Sequence, residues 1–468
     1  MTATAAVIAV TRARGVTPAD GSGGNERPRD NALVPTATRL PAFLADPPLA
    51  AGTLVLTGGR LFDGTGSGVR DGATVIVRDG RVEAVAAAGD GMPEGAAVVD
   101  LAGRTLLPGL IDAHAHLTMT GHSLALAVPG KGAEPYDPAL PGHLAAATLR
   151  RALRMGVTSV RDVGAYGDTL FGVRQAMRYG AFAGPRLLVC GRIVSATAPG
   201  DRFFPGMYRQ ADGTDDVRRA VREQIRAGAD FVKIMTTGAR TVELEDPHPA
   251  QVTREELATL VDEAHRLGFR VAAHCEGLPG TELAVEEGVD TIEHGMHLHR
   301  RPDLLEQLAA RDGVLVPTLS FLHHVAEDGC WVELLEEQGA ENVAAAHETL
   351  AAARRVGVRL AMGFDSPDVD RAASELVRMV EHGLPPLEAL AAATSGGAYA
   401  LGIEDQVGVV AQGRLADLLV VDGDPVSEPG VLLDPARIWL VLRNGAPVAG
   451  AALEASPPFA VTAHAGTR

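Results

Sequence analysis

Two histidines one residue apart, His114 and His116, close the run Pro108-Gly109-Leu110-Ile111-Asp112-Ala113-His114-Ala115-His116-Leu117. The run is apolar from Thr105 onward, as a buried strand is, and on a strand residues i and i+2 share a face. Both imidazoles then aim at one point, which is what a metal asks of neighbouring ligands. Two surface histidines at a strand end are the ordinary alternative. Further along, Lys233 interrupts Phe231-Val232-Lys233-Ile234-Met235, and His274 ends Ala272-Ala273-His274-Cys275. His294 ends Thr291-Ile292-Glu293-His294, and Asp365 follows Met362-Gly363-Phe364. Singly, each has a plain explanation: a lysine whose head snorkels to water, a satisfied core histidine, a helix N-cap. Four imidazoles, one lysine and one carboxylate at the ends of five apolar runs are harder to explain as packing. A lysine ammonium among four histidines would repel a cation, whereas its carbamate, formed with CO2, is an anion able to bridge two metals.

The elements that must position these residues follow from texture. From residue 109 to about 400, an amphipathic helix running to a glycine is followed by a short apolar strand, repeatedly. The glycines are Gly156, Gly228, Gly268, Gly288, Gly313 and Gly357, each placed where a helix ends in a left-handed residue. Thr253-Arg254-Glu255-Glu256 supplies a capping box. Repeated βα units with buried strands mean a parallel sheet. Adding the strand ending at His114/His116 and one at Arg186–Ile193 gives eight, which predicts an α/β fold of the (β/α)8 TIM barrel type with its chemistry at the C-terminal strand ends.

Both flanks read as β. Thr53–Leu56, Ala73–Val77, Arg81–Val85 and Val98–Asp100 are strands, with Asp79-Gly80 as a hairpin turn. Asp417–Val421 and Ile438–Leu442 are strands on the other side. The expected organisation is a small composite β-sandwich from both chain ends (51–108 plus 407–455) around a barrel of 109–406. Residues 1–50, rich in Gly, Pro, Asn and Asp, read as a disordered or extended tail, and 456–468 as a second one.

The 468 residues hold 42 Lys+Arg against 59 Asp+Glu, a formal charge of -17. That balance disfavours nucleic acid or an anionic membrane as partner. No apolar run is long enough to span a bilayer, and the short Ala5–Val10 run lacks a basic region before it. Three cysteines, Cys190, Cys275 and Cys330, imply no disulfide framework, so the expected compartment is the cytoplasm.

With these residues in view, the chain resembles the amidohydrolase superfamily in its binuclear, carboxylated-lysine subgroup. It is similar to Xaa-Pro dipeptidase (prolidase) and imidazolonepropionase-like amidohydrolases, a group that includes ochratoxinase-type carboxypeptidases. The resemblance rests on the Pro108–Leu117 run, Gly228–Met235, Ala273-His274-Cys275-Glu276-Gly277, Ile292-Glu293-His294-Gly295, Gly363-Phe364-Asp365-Ser366 and Gly413–Leu418. It spans about residues 53 to 450. It implies that His114, His116 and Asp365 hold one divalent metal and that His274 and His294 hold the other. A CO2-derived carbamate on Lys233 and a hydroxide would bridge the pair. Zinc suits imidazole and carboxylate ligands, with manganese or iron as substitutes. Asp365 would take the proton of the attacking hydroxide and pass it to the leaving amine. Relatives in this superfamily are often dimers or larger, which makes a homo-oligomer the implied assembly.

The loops after the strands are distinctive. Thr118–Asp137 carries Lys131 and Tyr136, Ser195–Gly213 carries Tyr208, Thr236–Arg240 follows the lysine strand, and Phe321, His323 and His324 follow the seventh strand. Arg240 and Tyr208 are the first candidates to capture a substrate carboxylate, with His323 as a third. The expected substrate is a small molecule or peptide: a dipeptide, an N-acyl amino acid, or a longer peptide trimmed in the making of a secondary metabolite. A mononuclear cyclic-amide hydrolase or deaminase is the rival enzyme. Lys233, and a glutamate (Glu276) two rather than three residues after His274, count against it. A non-catalytic scaffold with a decayed site is the rival outside enzymes, and the complete ligand set counts against that.

Overall fold

The computed structural model describes residues 49–87, 93–119, 137–242, 244–328 and 333–455, without the side chains of 325–338 and 454–455. The expected tails, Lys131, Tyr136 and Cys330 lie outside the described residues.

Five strands come first: β1 (Thr53–Phe62), β2 (Val69–Arg78), β3 (Arg81–Ala86), β4 (Ala97–Asp100) and β5 (Thr105–Pro108). The turn between β2 and β3 is the anticipated Asp79-Gly80. Both residues have positive φ (47° and 75°), and Arg78 pairs with Arg81, as a two-residue hairpin of matching twist requires. Ten strands follow: β6 (Leu110–Ala115), β7 (Val157–Asp162), β8 (Arg186–Val189), β9 (Ile193–Ser195), β10 (Tyr208–Gln210), β11 (Val232–Met235), β12 (Val271–Cys275), β13 (Thr291–His294), β14 (Val314–Val316) and β15 (Arg359–Leu360). The last three are β16 (Leu418–Val421), β17 (Ile438–Arg443) and β18 (Ala446–Ala449).

The two flanks meet in one eight-stranded sheet of order β18-β17-β16-β5-β1-β2-β3, with β4 paired to β1. The seam is β16 against β5, antiparallel from Leu418↔Pro108 to Val421↔Thr105. A cluster holding Leu56, Val75, Leu106, Val420 and Leu440 buries side chains of both flanks together.

The ten middle strands form two parallel sheets, β6-β7-β8 and β10-β9-β11-β12-β13-β14-β15. Backbone hydrogen bonds run from one to the other. Asp230 N donates to Val189 O (2.8 Å), and Ala113 N donates to Met362 O (2.8 Å) just beyond β15. Asp365 N donates to His114 O (2.8 Å), and Ala115 forms a parallel bridge with Ser366. Helices Leu140–Arg154, Thr169–Arg178, Thr214–Ala227, Arg254–Arg266, Leu278–Glu286, Pro302–Ala310 and Glu333–Val356 alternate with these strands.

Val232, Ile234, Ala273, Cys275, Ile292 and Leu315 pack with helix residues Leu257, Leu260, Leu304 and Leu308 in one cluster. The alternate strand positions, including Lys233 and His274, therefore face the other way. Thr253 and Glu256 form the expected capping box, Glu256 N donating to Thr253 Oγ1 (3.3 Å) and Thr253 N to Glu256 Oε2 (2.9 Å). Of the six helix-ending glycines, five have positive φ; at the sixth, the left-handed residue is Asp312 (φ 56°), one position before Gly313.

Two strands depart from expectation. The third, read as Arg186–Ile193, is split into β8 and β9 by Cys190-Gly191-Arg192, where Gly191 takes φ 74°. The eighth, expected between Gly357 and Asp365, keeps ladder geometry only over β15 and continues as a segment bonded to β6. Among the described residues, no helix is long and apolar enough to cross a membrane.

Candidate metal centre

β6 delivers His114 and His116 as strand alternation requires, and both reach Asp365. His114 Nε2 lies 3.3 Å and His116 Nε2 3.6 Å from Asp365 Oδ1. One ligand atom from each of the three falls within 4.8 Å of the others. The opposite ring nitrogens are held by the protein. His114 Nδ1 meets Glu293 Oε2 at 2.6 Å, and His116 Nδ1 meets Gly164 O at 3.1 Å. A nitrogen bonded to an acceptor carries the proton, so in the neutral ring each Nε2 presents a lone pair to the shared space.

His274 and His294 form the second pair. His294 Nε2 and His274 Nδ1 stand 3.0 Å apart. His274 Nε2 donates to Gly238 O at 3.2 Å, and His294 Nδ1 meets Thr318 Oγ1 at 2.8 Å. The His294 and His114 rings are 5.1 Å apart, and His294 Nδ1 lies 3.8 Å from Asp365 Oδ2, so the two pairs share one chamber.

Strand alternation alone does not place His294. Ile292 packs on the helix side, and a strict two-residue period would send His294 the same way. The backbone of His294 is left-handed (φ 67°), and this bend brings its ring to His274. Thr318 (φ 49°) and Asp365 (φ 54°) are left-handed as well. Such non-glycine conformations cost about 1–3 kcal/mol each and collect at functional sites.

Electrostatics follow burial. His116 is pushed down to about 4 and His294 to about 3, burial being the main cause, and His274 falls well below its ordinary value for the same reason. These imidazoles are neutral near pH 7, the form that binds a metal. Burial also disfavours the His114 cation, but Asp365 and Glu293 outweigh it and raise its pKa. Burial would raise Asp365, yet the neighbouring His114 holds its carboxyl well below the usual carboxylate range. Lys233 is 2% exposed, and burial lowers its pKa.

A layer of buried charge supports the imidazoles and Asp365. Glu293 accepts from Arg161 Nη2 (2.8 Å) and Thr291 Oγ1 (2.5 Å) while its other oxygen holds His114. Asp112 Oδ1 accepts from His114 N and Phe364 N, both at 3.1 Å, which ties β6 to the segment carrying Asp365. Asp162 accepts from Leu117 N (2.7 Å) and Gly164 N (3.1 Å). Burial pushes Asp112 up to about 7 and Asp162 to about 8. The sequence reading gave none of these four charged residues a role. The signal was there: Asp112, Arg161, Asp162 and Glu293 are charges inside apolar strand runs.

The loop candidates separate into two groups. Tyr208 is buried in a cluster with Ile193, Phe204, Met235 and Ala239, which brings its loop against that of Arg240. Arg240 Nε donates to Glu276 Oε2 (3.1 Å) and Nη1 to Asn342 Oδ1 (2.8 Å), and Glu276 Oε1 lies 3.5 Å from His274 Nε2. His323 is drawn elsewhere: its Nε2 meets His382 Nε2 at 2.6 Å, and His382 Nδ1 meets His347 Nδ1 at 2.8 Å. Cys275 packs on the helix side, as its place beside His274 implied.

With this geometry established, the comparisons with known proteins are specific. Residues 105–450 match the Amidohydrolase family. The chain is 30% identical over 448 residues to ochratoxinase of Aspergillus niger, covering 89% of this chain and 91% of that protein. It is 28% identical over 410 residues to imidazolonepropionase of Salinispora tropica, covering 81% and 93%. Among solved structures, a Xaa-Pro dipeptidase with methionine bound in its active site superposes with TM-score 0.77 at 27% identity, over 85% of this chain and all of that one. The likeness gives the chain a TIM-barrel-like α/β fold and an activity on C–N bonds. The chain is a hydrolase of the amidohydrolase family.

Proposed function

We propose that this protein is a metal-dependent amidohydrolase that cleaves a peptide or amide bond next to a free carboxylate, in the manner of a dipeptidase or carboxypeptidase. In this reading the parallel strands close into a (β/α)8 barrel over 109–406, and the two flanks form a composite β-sandwich. The observation that carries the proposal is the convergence of the His114, His116 and Asp365 ligand atoms on one space beside the His274/His294 pair.

The donor set fits divalent metal. Each of the four imidazoles has one nitrogen engaged by the protein and the other turned inward, the pattern expected of histidine ligands. His114, His116 and Asp365 would hold one ion and His274 and His294 a second, with carboxylated Lys233 between them. Two such cations, zinc being the best match to these donors, would polarise the scissile carbonyl and acidify a water. Lys233 suits carboxylation because burial favours its neutral amine, the form that adds to CO2. Asp365, an ionised carboxylate at the centre of the set, accepts the proton of the attacking water and delivers it to the leaving nitrogen. Arg240 and Tyr208 form the wall that reads the substrate. A Xaa-Pro dipeptidase, by its name, cleaves a dipeptide, which supports the class.

The test is hydrolysis of a library of dipeptides and N-acyl amino acids by the zinc-loaded protein, with a metal count on the same sample. Release of free amino acids with about two metals per chain is expected. A protein that binds no metal and turns over nothing in the library refutes the reading.

A further inference from the structure

The imidazoles sit at the C-terminal ends of the parallel strands, and a second concentration of charge lies at the opposite ends. Arg186 is the first residue of β8, and Asp230 precedes β11. They border a cavity of about 180 Å³ also lined by Arg174, Arg178, Gln406 and Arg443. Four lining residues are arginines and one, Asp230, is an acid. The arginines come from separate parts of the chain: helix Thr169–Arg178, β8, and the end of β17 in the flanking sheet. No local sequence pattern brings them together; the fold does.

Two carboxylates beside the cavity are each held by an arginine and a backbone N–H. Asp230 is bonded by Arg174 and accepts from Val189 N (2.8 Å). Asp417, behind the cavity wall, lies 3.3 Å from Arg186 Nη2 and accepts from Asn444 N (2.7 Å). Four guanidiniums thus gather at one cavity, in a chain whose overall charge is -17. The Arg178 Nε is buried with no hydrogen-bond acceptor. Guanidinium groups present a fork of N–H donors that matches the oxygens of phosphate and carboxylate. The volume is below the roughly 300 Å³ at which pockets for drug-sized ligands begin, so the occupant is small.

We propose that this cavity is an oxyanion site, distinct from the metal centre, that binds inorganic phosphate or a small phosphomonoester through Arg178 together with Arg186 and Arg443. It joins the parallel sheets to the flanking sheet, so its occupant ties together two parts of the fold that the metal ligands do not link.

Titration calorimetry with inorganic phosphate and with glycerol 3-phosphate tests this on the metal-loaded full chain, at ionic strength held constant with potassium chloride. Saturable binding is expected for at least one of them, the tighter one identifying free ion or ester as the occupant. Arg178→Gln should weaken that binding about 10- to 100-fold, the worth of one charge-assisted hydrogen bond, and Arg178→Lys should weaken it less. Because phosphate could also visit the metal centre, Asp365→Asn is titrated in parallel and should bind as the wild type does. No saturable heat, or binding that survives Arg178→Gln and disappears in Asp365→Asn, would overturn the proposal.

Discussion

Replacing Glu293 by glutamine is the sharpest perturbation of the candidate metal centre that leaves every proposed ligand in place. Glu293 is fully buried and uses its two oxygens differently. Oε1 receives Arg161 Nη2 and Thr291 Oγ1, while Oε2 holds His114 Nδ1. A glutamine must keep its carbonyl oxygen toward Arg161 and Thr291, because an NH2 there would face two donors. Its NH2 then faces His114 Nδ1 and makes that nitrogen the acceptor. The proton moves to Nε2, and the lone pair that faced Asp365 is lost. Loss of a carboxylate behind a histidine ligand weakens metal binding about 10- to 100-fold, or about 1.4–2.7 kcal/mol. Truncation to alanine would instead strand the Arg161 guanidinium, which is 2% exposed. Removing one partner of a buried ion pair costs about 3–5 kcal/mol of stability. The two variants thus separate tautomer control from charge balance. Chelator competition measures affinity, and urea unfolding of the metal-free protein measures stability. Glutamine should change mainly the first and alanine both. Wild-type metal affinity in Glu293→Gln would refute the tautomer argument.

Other outcomes follow from the same geometry. Asp365→Asn should lower kcat by about 100- to 10,000-fold, the span of a lost proton-transfer group, with an unchanged circular dichroism spectrum; near-full turnover would remove Asp365 from the proton path. Lys233→Ala should lose the metal pair, and acetate or propionate should restore part of it; unchanged metal content would exclude the carbamate bridge. At Gly363 an added Cβ would stand 2.4 Å from Val316 Cγ1 and 2.6 Å from His114 Cβ. Gly363→Ala should therefore cost about 1–3 kcal/mol and weaken metal binding by displacing His114, both read in the assays above. Far from the site, His265 Nε2 meets Asp290 Oδ2 at 2.8 Å, and this hydrogen bond raises its pKa. A raised histidine contributes stability that is full below its unfolded value and fades as pH climbs through the folded one. The pair is partly exposed, so the contribution is below about 1 kcal/mol. His265→Gln should flatten the decline in urea stability on the alkaline side of pH 6.5, and an unchanged pH profile would count against the pair.

Much of the candidate site's geometry was legible because its imidazoles and its carboxylate sit at ends of apolar runs. His114, His116 and His274 obey strand alternation, so spacing alone predicts their common face. The hairpin at Asp79-Gly80 and the capping box at Thr253 were equally readable, since both depend on residues adjacent in sequence. The supporting charges were not. Glu293 is two positions from Thr291 and more than a hundred from Arg161 and His114, and only the folded sheets disclose that it joins all three. The loop residues were the least readable. His323 carries the right chemistry to bind a carboxylate, yet it is engaged by a partner remote in sequence, His382.

The site is written in the backbone as much as in its side chains. Among the described residues seven non-glycine residues have positive φ, and four of them (Asp79, Ala102, Asp312 and Asn444) lie at turns or loops remote from the imidazoles. The other three, His294, Thr318 and Asp365, belong to the ends of three successive units of the parallel sheets, and each touches another of the set. His294 Nδ1 meets Thr318 Oγ1 at 2.8 Å and stands 3.8 Å from Asp365 Oδ2, while Asp365 N donates to His114 O. A straight strand would carry His294 toward the helices with Ile292. The left-handed bend reverses that direction, and the hydrogen bonds to neighbouring segments hold it. Strain at one strand end is therefore offset by contacts with the next. This interdependence makes the ligand geometry a property of adjoining βα units acting together and explains why the spacing of one strand does not predict it.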